Sequence, residues 1–161
     1  MKGAMIVLCS MLIASTAAAQ ATRTPAQAVD AFHAALRNKD TGGALSLLDR
    51  GLVVYEFGLV DATVETYAFR HLAFDMDVAV ATQWKLESRR VGGEGDERWV
   101  LSSYRVTGKQ TDGTTIDQMT LETAILRRSG GLFRIAHLHW STSDAAFQAR
   151  AQSQRSQQPA R

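Results

Sequence analysis

Four runs rich in β-forming residues fill the carboxy-terminal half of the chain and decide its fold: WKLESRRV (84–91), RWVLSSYRVTGK (98–109), TTIDQMTLETAILRR (114–128) and LFRIAHLHWS (132–141). Glycine-containing turn signals separate these runs at 92–96, 112–113 and 129–131. Such short linkers join antiparallel neighbours as β-hairpins. The pattern therefore predicts four strands connected by hairpins.

The residues ahead of these runs predict three helices and one more strand. Residues 24–27, Thr-Pro-Ala-Gln, combine a capping threonine, proline at the first helical position and glutamine three residues after the cap, which together begin a helix. Asp40 can cap a second, shorter helix, and apolar residues at helical spacing predict a third over about 63–80. The apolar run 52–55 between the second and third helices predicts the first strand. Helices followed by hairpin-connected strands indicate an α+β fold.

The first 19 residues predict a cleaved signal peptide. Lys2 supplies a positive start, residues 4–13 form an apolar run that is too short to span a bilayer, and 17–19 are three alanines suited to a cleavage site. We expect the mature protein to begin at Gln20, to be periplasmic or secreted, and to have no membrane anchor. An intact-mass measurement of the natively produced protein would check this new amino terminus. The one cysteine, Cys9, lies in this segment, so no disulfides are expected after cleavage.

The length after cleavage suits one hydrophobic core and not two. We expect a single domain over 20–144 and a polar, basic tail over 145–161 that is disordered or a frayed helix, because the tail has three arginines and no acidic residue. The whole chain has 18 basic and 16 acidic residues and a formal net charge of +2. No basic face stands out in the folded part, which argues against nucleic acid as a partner.

Three segments resemble the nuclear transport factor 2-like superfamily, which includes ketosteroid isomerase, scytalone dehydratase and the SnoaL-like polyketide cyclases. The segments are AVDAFHAAL (28–36) followed by Asp40, VVYE (53–56) and FRIAHLHWS (133–141), and the resemblance covers about 25–144. The chain looks especially like uncharacterised exported bacterial members with a His-Leu-x-x-Asp-Met stretch and a terminal His-x-His-Trp-Ser. The resemblance implies a cone-shaped, curved antiparallel sheet packed with three helices of the amino-terminal half, with the ligand in the open end. This fold serves enzymes, binding modules and assembly domains.

Histidines near the carboxy terminus are the first candidates for chemistry. His137 and His139 alternate along the last predicted strand, which places both on the face expected to line a core or cavity. His71 and Asp75 lie one helical turn apart. If the third helix crosses the mouth of the sheet, these four residues supply nitrogen and oxygen ligands for zinc or a similar divalent ion. The alternative is a polar core in which the histidines are hydrogen-bonded to carboxylates or backbone.

Glu56 is the candidate general base, because the resembling isomerases have a proton-shuttling carboxylate at the end of this strand. Apolar walls raise the pKa of a carboxyl group towards the range that suits acid–base chemistry. Phe32 stands where those isomerases carry a phenol that stabilises developing negative charge, so steroid isomerisation is not expected. His137 and His139 are the other catalytic candidates. The candidate ligand-binding residues are Tyr55, His71, Asp75, Tyr104, Glu122 and Trp140.

Three functions are compatible with these residues. The first is an exported binding pocket for a small ligand, with or without a divalent metal such as zinc. The second is a lyase or isomerase in which Glu56 or a pocket histidine is the base, and the third is a homodimerisation module that pairs through the outer sheet face. The first two lead us to expect that Glu56, His71, Asp75, His137 and His139 converge on one concavity. Both carboxy-terminal histidines on the outer face would refute that convergence.

Overall fold

The computed structural model of the protein describes residues 23–109 and 113–144. The predicted signal peptide (1–19) and basic tail (145–161) lie outside the described residues and stay predictions. In the described part, no helix combines the length and the apolar character needed to cross a membrane.

Four helices and six strands make up the described part of the chain. In chain order they are α1 (Pro25–Arg37), α2 (Thr41–Ser46), β1 (Leu48–Glu56), β2 (Leu59–Asp61), α3 (Val64–Arg70), α4 (Leu72–Ala81), β3 (Thr82–Gly92), β4 (Glu97–Lys109), β5 (Thr115–Ser129) and β6 (Leu132–Asp144). The strands form one sheet in the order β2-β1-β6-β5-β4-β3. Strands β3 to β6 pair as antiparallel neighbours. The predicted α+β fold is confirmed.

Side chains cap the first two helices where the sequence predicts them. The Thr24 N–H donates to Gln27 Oε1 at 2.8 Å and the Gln27 N–H donates to Thr24 Oγ1 at 3.3 Å, which is a reciprocal capping box. Asp40 Oδ1 accepts from the Gly43 N–H at 2.8 Å. Each cap satisfies an amide that has no partner inside the first helical turn, so the two helix starts depend on local sequence.

The connectivity differs from the prediction in two places. Strand β1 pairs with β6 in parallel, because the four-strand meander starts at the far edge of the sheet and its last strand arrives beside β1 in the same direction. The sheet is therefore mixed and not wholly antiparallel. The predicted third helix is divided into α3 and α4 at His71, whose φ of −117° departs from helical values.

A tight hairpin joins β1 to the additional strand β2. Phe57 and Gly58 form the turn with φ values of 51° and 75°, as a two-residue type I′ turn requires. Glycine adopts this conformation freely, but a phenylalanine there is strained. The strained turn holds the exposed Phe57 side chain immediately after Glu56.

The hydrophobic core lies between the helices and one face of the sheet, here called the inner face. Phe32 and Tyr67 from the helices and Leu126, Ile135 and Leu138 from the sheet are fully buried there. The opposite, outer face carries no helix in the described part of the chain, since the helices pack on the inner face. The two faces therefore present different environments to alternate residues of each strand.

A β-bulge at Ala136 reverses the side on which the end of β6 presents its residues. Ile135 pairs with Leu126 and His137 pairs with Ile125, so Ala136 is an extra residue in the ladder. Because one extra residue shifts the alternation by one position, His137 and His139 lie on the outer face. The prediction that both histidines share the inner face is wrong.

Candidate functional site

A cavity opens between α1, α4 and the inner face of the sheet. Its volume is about 50 Å³, which suits a small ligand, since pockets for drug-sized molecules measure roughly 300–1,000 Å³. The polar lining residues are His33, Arg37, Glu56, Asp75, Gln118, Thr120 and Thr142. The apolar lining residues are Leu36, Phe57, Phe74, Val78, Ala79, Trp84 and Trp140. Glu56 and Asp75, two of the predicted site residues, thus lie in one cavity wall.

Glu56 and Asp75 form a pair of carboxyl groups in the cavity wall. Burial, the charge of Asp75 and the hydrogen bond between the two raise the pKa of Glu56 from 4.5 to about 8. Burial also raises the pKa of Asp75 to about 6, against the opposing effects of Tyr67 and His71. The pair shares one proton near neutral pH, with Glu56 protonated and Asp75 ionised.

Three further residues, Tyr67, His71 and Asp61, lie around this pair. The Tyr67 hydroxyl donates to Asp75 Oδ2 at 2.7 Å, and burial and the carboxylates raise the pKa of Tyr67 well above its usual value, so the hydroxyl keeps its proton. His71 Nδ1 contacts Asp61 Oδ2, which turns the imidazole towards β2. Tyr67 and Asp61 are site residues that sequence analysis missed. Tyr67 fits the apolar stripe of a helix, and Asp61 carries no local signal.

A second buried polar cluster adjoins the cavity on the α1 side. His33 Nε2 lies 2.6 Å from Glu122 Oε2, and the Trp140 indole N–H donates to the same oxygen at 2.8 Å. The Tyr104 hydroxyl donates to Glu122 Oε1 at 3.3 Å. Burial raises the pKa of Glu122, but His33, Trp140 and Arg89 outweigh it and hold that pKa below its usual value. Glu122 is therefore ionised, and the His33 Nε2 atom carries a hydrogen.

Arg89 ties this cluster to α1. One guanidinium nitrogen donates to the Tyr104 hydroxyl at 2.7 Å and another to Asp30 Oδ1 at 2.8 Å. Burial and the neighbouring Glu122 raise the pKa of Tyr104 to about 12, so it keeps its proton at physiological pH. The cluster orients the cavity wall, with Tyr104 protonated and Glu122 ionised at physiological pH.

The predicted ligand-binding residues that belong to the second cluster differ in their position relative to the cavity. Trp140 lines the cavity, whereas Tyr104 and Glu122 are absent from its lining and stand behind it. His33 lines the cavity but was not among the predicted site residues. Its position four residues after Val29, on the buried stripe of α1, is the signal that could have identified it.

The remaining predicted site residues lie away from the cavity. The Tyr55 ring lies on the outer face, 5.1 Å from that of His137 and 6.2 Å from that of His139. His137 Nδ1 lies 3.0 Å from the Val53 carbonyl oxygen. These contacts place Tyr55 and both histidines on the outer face. Tyr55 lies there because it alternates with Glu56 along β1, and the histidines lie there because the bulge in β6 reversed the alternation.

The predicted metal site is not formed. His71 contacts Asp61, while His137 and His139 are separated from Asp75 by the sheet. Among residues 23–109 and 113–144, no group of three or more His, Cys, Asp or Glu side chains could hold a metal ion. The prediction that Glu56, Asp75 and the three histidines converge on one concavity is therefore wrong. Of these five residues, Glu56 and Asp75 line the cavity.

The mixed sheet, the helices on its inner face and the cavity between them define a protein of the nuclear transport factor 2-like superfamily, as the sequence resemblance predicts. Within it, the chain belongs to the SnoaL-like domain family, whose model matches residues 26–145. No curated protein matches the chain significantly.

Solved structures share the fold. A proposed ketosteroid isomerase from Shewanella frigidimarina is 28% identical, with a TM-score of 0.70 over 75% of this chain and 97% of that one. A proposed dehydratase of the NTF2-like family from Streptomyces avermitilis is 20% identical, with a TM-score of 0.63 over 74% of this chain and 94% of that one. A proposed calcium/calmodulin-dependent protein kinase II association domain from Xanthomonas campestris is 18% identical, with a TM-score of 0.64 over 74% and 86%. Because such different proteins share the fold, function has to be argued from the site.

Proposed function

We propose that the protein binds a small, mostly apolar molecule in the cavity and that the Glu56–Asp75 pair transfers a proton on it, as in isomerases or lyases. The observation that carries this proposal is the placement of two buried carboxyl groups, those of Glu56 and Asp75, in one cavity wall. A carboxyl group whose pKa is about 8 can give or take a proton near neutral pH. The signal-peptide prediction adds the proposal that this chemistry takes place outside the cytoplasm.

A β,γ-unsaturated ketone, in which the C–H bond lies between the carbonyl group and the double bond, illustrates the step. Ionised Glu56 takes the proton as the C–H bond breaks, and the electron pair of that bond moves into the enolate. The protonated carboxyl group then returns the proton to a different carbon, which gives the isomer. Tyr67 keeps Asp75 oriented by its hydrogen bond throughout. Phe32 is fully buried and has no donor for the ligand oxygen, so we do not propose a steroid as the substrate.

Conversion of 3-cyclohexen-1-one to its conjugated isomer, followed by absorbance, tests the proposal. We expect a rate above that of buffer that rises with pH through about 8, because Glu56 acts as a base only when ionised. Glu65→Gln, an exposed carboxylate on α3, is the matched control and should leave the rate unchanged. If cyclohexanone binds but neither isomerisation nor exchange of its α-protons with solvent occurs, the protein is a binding module.

We propose in addition that two copies pair through the outer face of the sheet. Tyr55, Leu101 and Leu121 are 46%, 38% and 57% exposed on that face, and contiguous exposed apolar area often marks an interface. Leu121→Glu should reduce the molar mass measured by light scattering from that of two chains to that of one. Val80→Glu, an exposed residue on α4, should leave the mass unchanged. A wild-type protein with the mass of one chain would exclude this dimer.

A further inference from the structure

Two buried oxygen atoms of the cavity lining have no hydrogen-bond partner among the described residues. They are Glu56 Oε2 and Thr120 Oγ1, and both residues line the cavity. Glu56 is 9% exposed and Thr120 is 1% exposed. A buried hydroxyl group without a partner destabilises a fold, and valine would fill the same volume without that cost. The threonine therefore points to a partner that the protein itself does not supply.

The ring N–H donors of the lining are already engaged. The Trp140 indole donates to Glu122 at 2.8 Å and the Trp84 indole donates to Thr82 Oγ1 at 2.9 Å. His33 Nε2 is occupied by Glu122. The hydroxyl of Thr120 is therefore a fully buried donor that remains available to a ligand.

We propose that Thr120 Oγ1 donates a hydrogen bond to the carbonyl oxygen of a small, neutral ligand. The inference rests on the proposed function of the same cavity, and it names the class of molecule that the cavity takes. An ionised Asp75 in the wall repels an anionic group, which favours an uncharged oxygen. The T-shaped pair of Phe57 and Phe74, with ring centroids 5.8 Å apart, offers apolar contact to the rest of the molecule.

Thr120 would also take part in the proton transfer. As Glu56 removes the proton, negative charge develops on the carbonyl oxygen, and a hydrogen bond already aimed at that oxygen stabilises the charge. The apolar Phe32 cannot do this. Thr120 would thereby supply the hydrogen-bond donor that a phenol supplies in the resembling isomerases.

Thr120→Val tests the assignment, because valine keeps the shape and removes the hydroxyl. We expect the affinity for cyclohexanone, measured by ligand-observed NMR titration, to fall about fivefold to tenfold, while the affinity for benzene stays the same. The melting temperature should rise, because an unpaired buried hydroxyl has been removed. Thr120→Ser should retain the ketone affinity, and Thr123→Val, on the outer face of the same strand, should change neither affinity.

Several outcomes would overturn the assignment. Equal losses for cyclohexanone and benzene would mean that Thr120 only shapes the cavity, and a wild-type protein that does not bind cyclohexanone would exclude the ligand class. Tighter binding of cyclohexanecarboxylate that is lost in Arg37→Gln would make the ligand an acid. The catalytic proposal for Glu56 can fail on its own, because Glu56→Gln should still bind cyclohexanone. If the protein is selective for the ketone but no proton transfer is detected, only the catalytic proposal is overturned.

Discussion

Glu56→Gln is expected to lower the rate of enone isomerisation by about 100-fold to 10,000-fold, which is the usual contribution of a general acid–base residue. The amide has nearly the same shape and can donate a hydrogen bond to Asp75, but it cannot take a proton from carbon. Initial rates over a range of 3-cyclohexen-1-one concentrations would separate kcat from KM. The loss should lie in kcat, because the substitution leaves the apolar walls intact.

Asp75→Asn provides a second, independent check of the carboxyl pair. The charge of Asp75 is one of the causes that raise the pKa of Glu56, so its removal should move the midpoint of the pH–rate profile to lower pH. Some activity should remain, since Glu56 is retained. An unchanged midpoint would show that Asp75 does not act on the reacting group, and an active Glu56→Gln protein would rule out Glu56 as the base.

The Glu56 substitution should also change how stability depends on pH. Between pH 4.5 and about 8 the folded protein keeps a proton on Glu56 that the unfolded chain has released. The stabilisation is therefore fully present below 4.5 and is lost as pH rises through about 8, by at most roughly 1.4 kcal/mol per pH unit. Urea unfolding across this range should show a shallower decline for Glu56→Gln than for the wild type. Equal slopes would contradict the raised pKa.

Glu122→Ala is expected to cause the largest loss of stability, about 3–5 kcal/mol. The carboxylate is 2% exposed and accepts from Trp140 and Tyr104 while contacting His33. Its removal leaves these groups buried without an acceptor and opens a hole in the core. Since domains of this size are stable by only about 5–15 kcal/mol, urea unfolding should show a much lower midpoint.

Two substitutions serve as controls for Glu122→Ala. Glu122→Gln keeps the volume and one acceptor oxygen and should cost less than the alanine variant. Glu97→Ala removes an exposed carboxylate from β4 and should change the free energy of unfolding by no more than about 0.5 kcal/mol. A loss below about 1 kcal/mol in Glu122→Ala would mean that the cluster tolerates an unpaired His33, contrary to the cost expected for a buried group without a partner.

Local sequence was sufficient for several elements of the fold. The starts of α1 and α2 were predictable because Thr24 and Asp40 bond to amides only three residues away. The hairpins of β3 to β6 were predictable because glycine-containing turns separate runs of strand-forming residues. The helix starts and the hairpins depend on contacts between near neighbours in the chain. Glu56 was identified from the resembling isomerases, and Asp75 from its position one helical turn after His71.

The break at His71 could not be predicted from the helical pattern around it. Apolar residues continue at helical spacing on both sides, and no glycine or proline interrupts 63–80. The imidazole instead contacts Asp61, whose place beside it depends on the turn between β1 and β2. A contact between separate elements thus ended one helix and began another.

The sequence by itself determined the fold class, the superfamily and the starts of α1 and α2, and it identified Glu56 and Asp75 as site residues. Only the tertiary structure decided which face each later residue occupies. The extra residue Ala136 turned His137 and His139 away from the cavity, and no local feature marks a bulge that depends on pairing with β5. The same packing buried Glu122 against His33, 89 residues away. Such pairs cannot be predicted from the periodicity of the sequence, because their energies arise from burial and electrostatic contact between elements that only folding brings together.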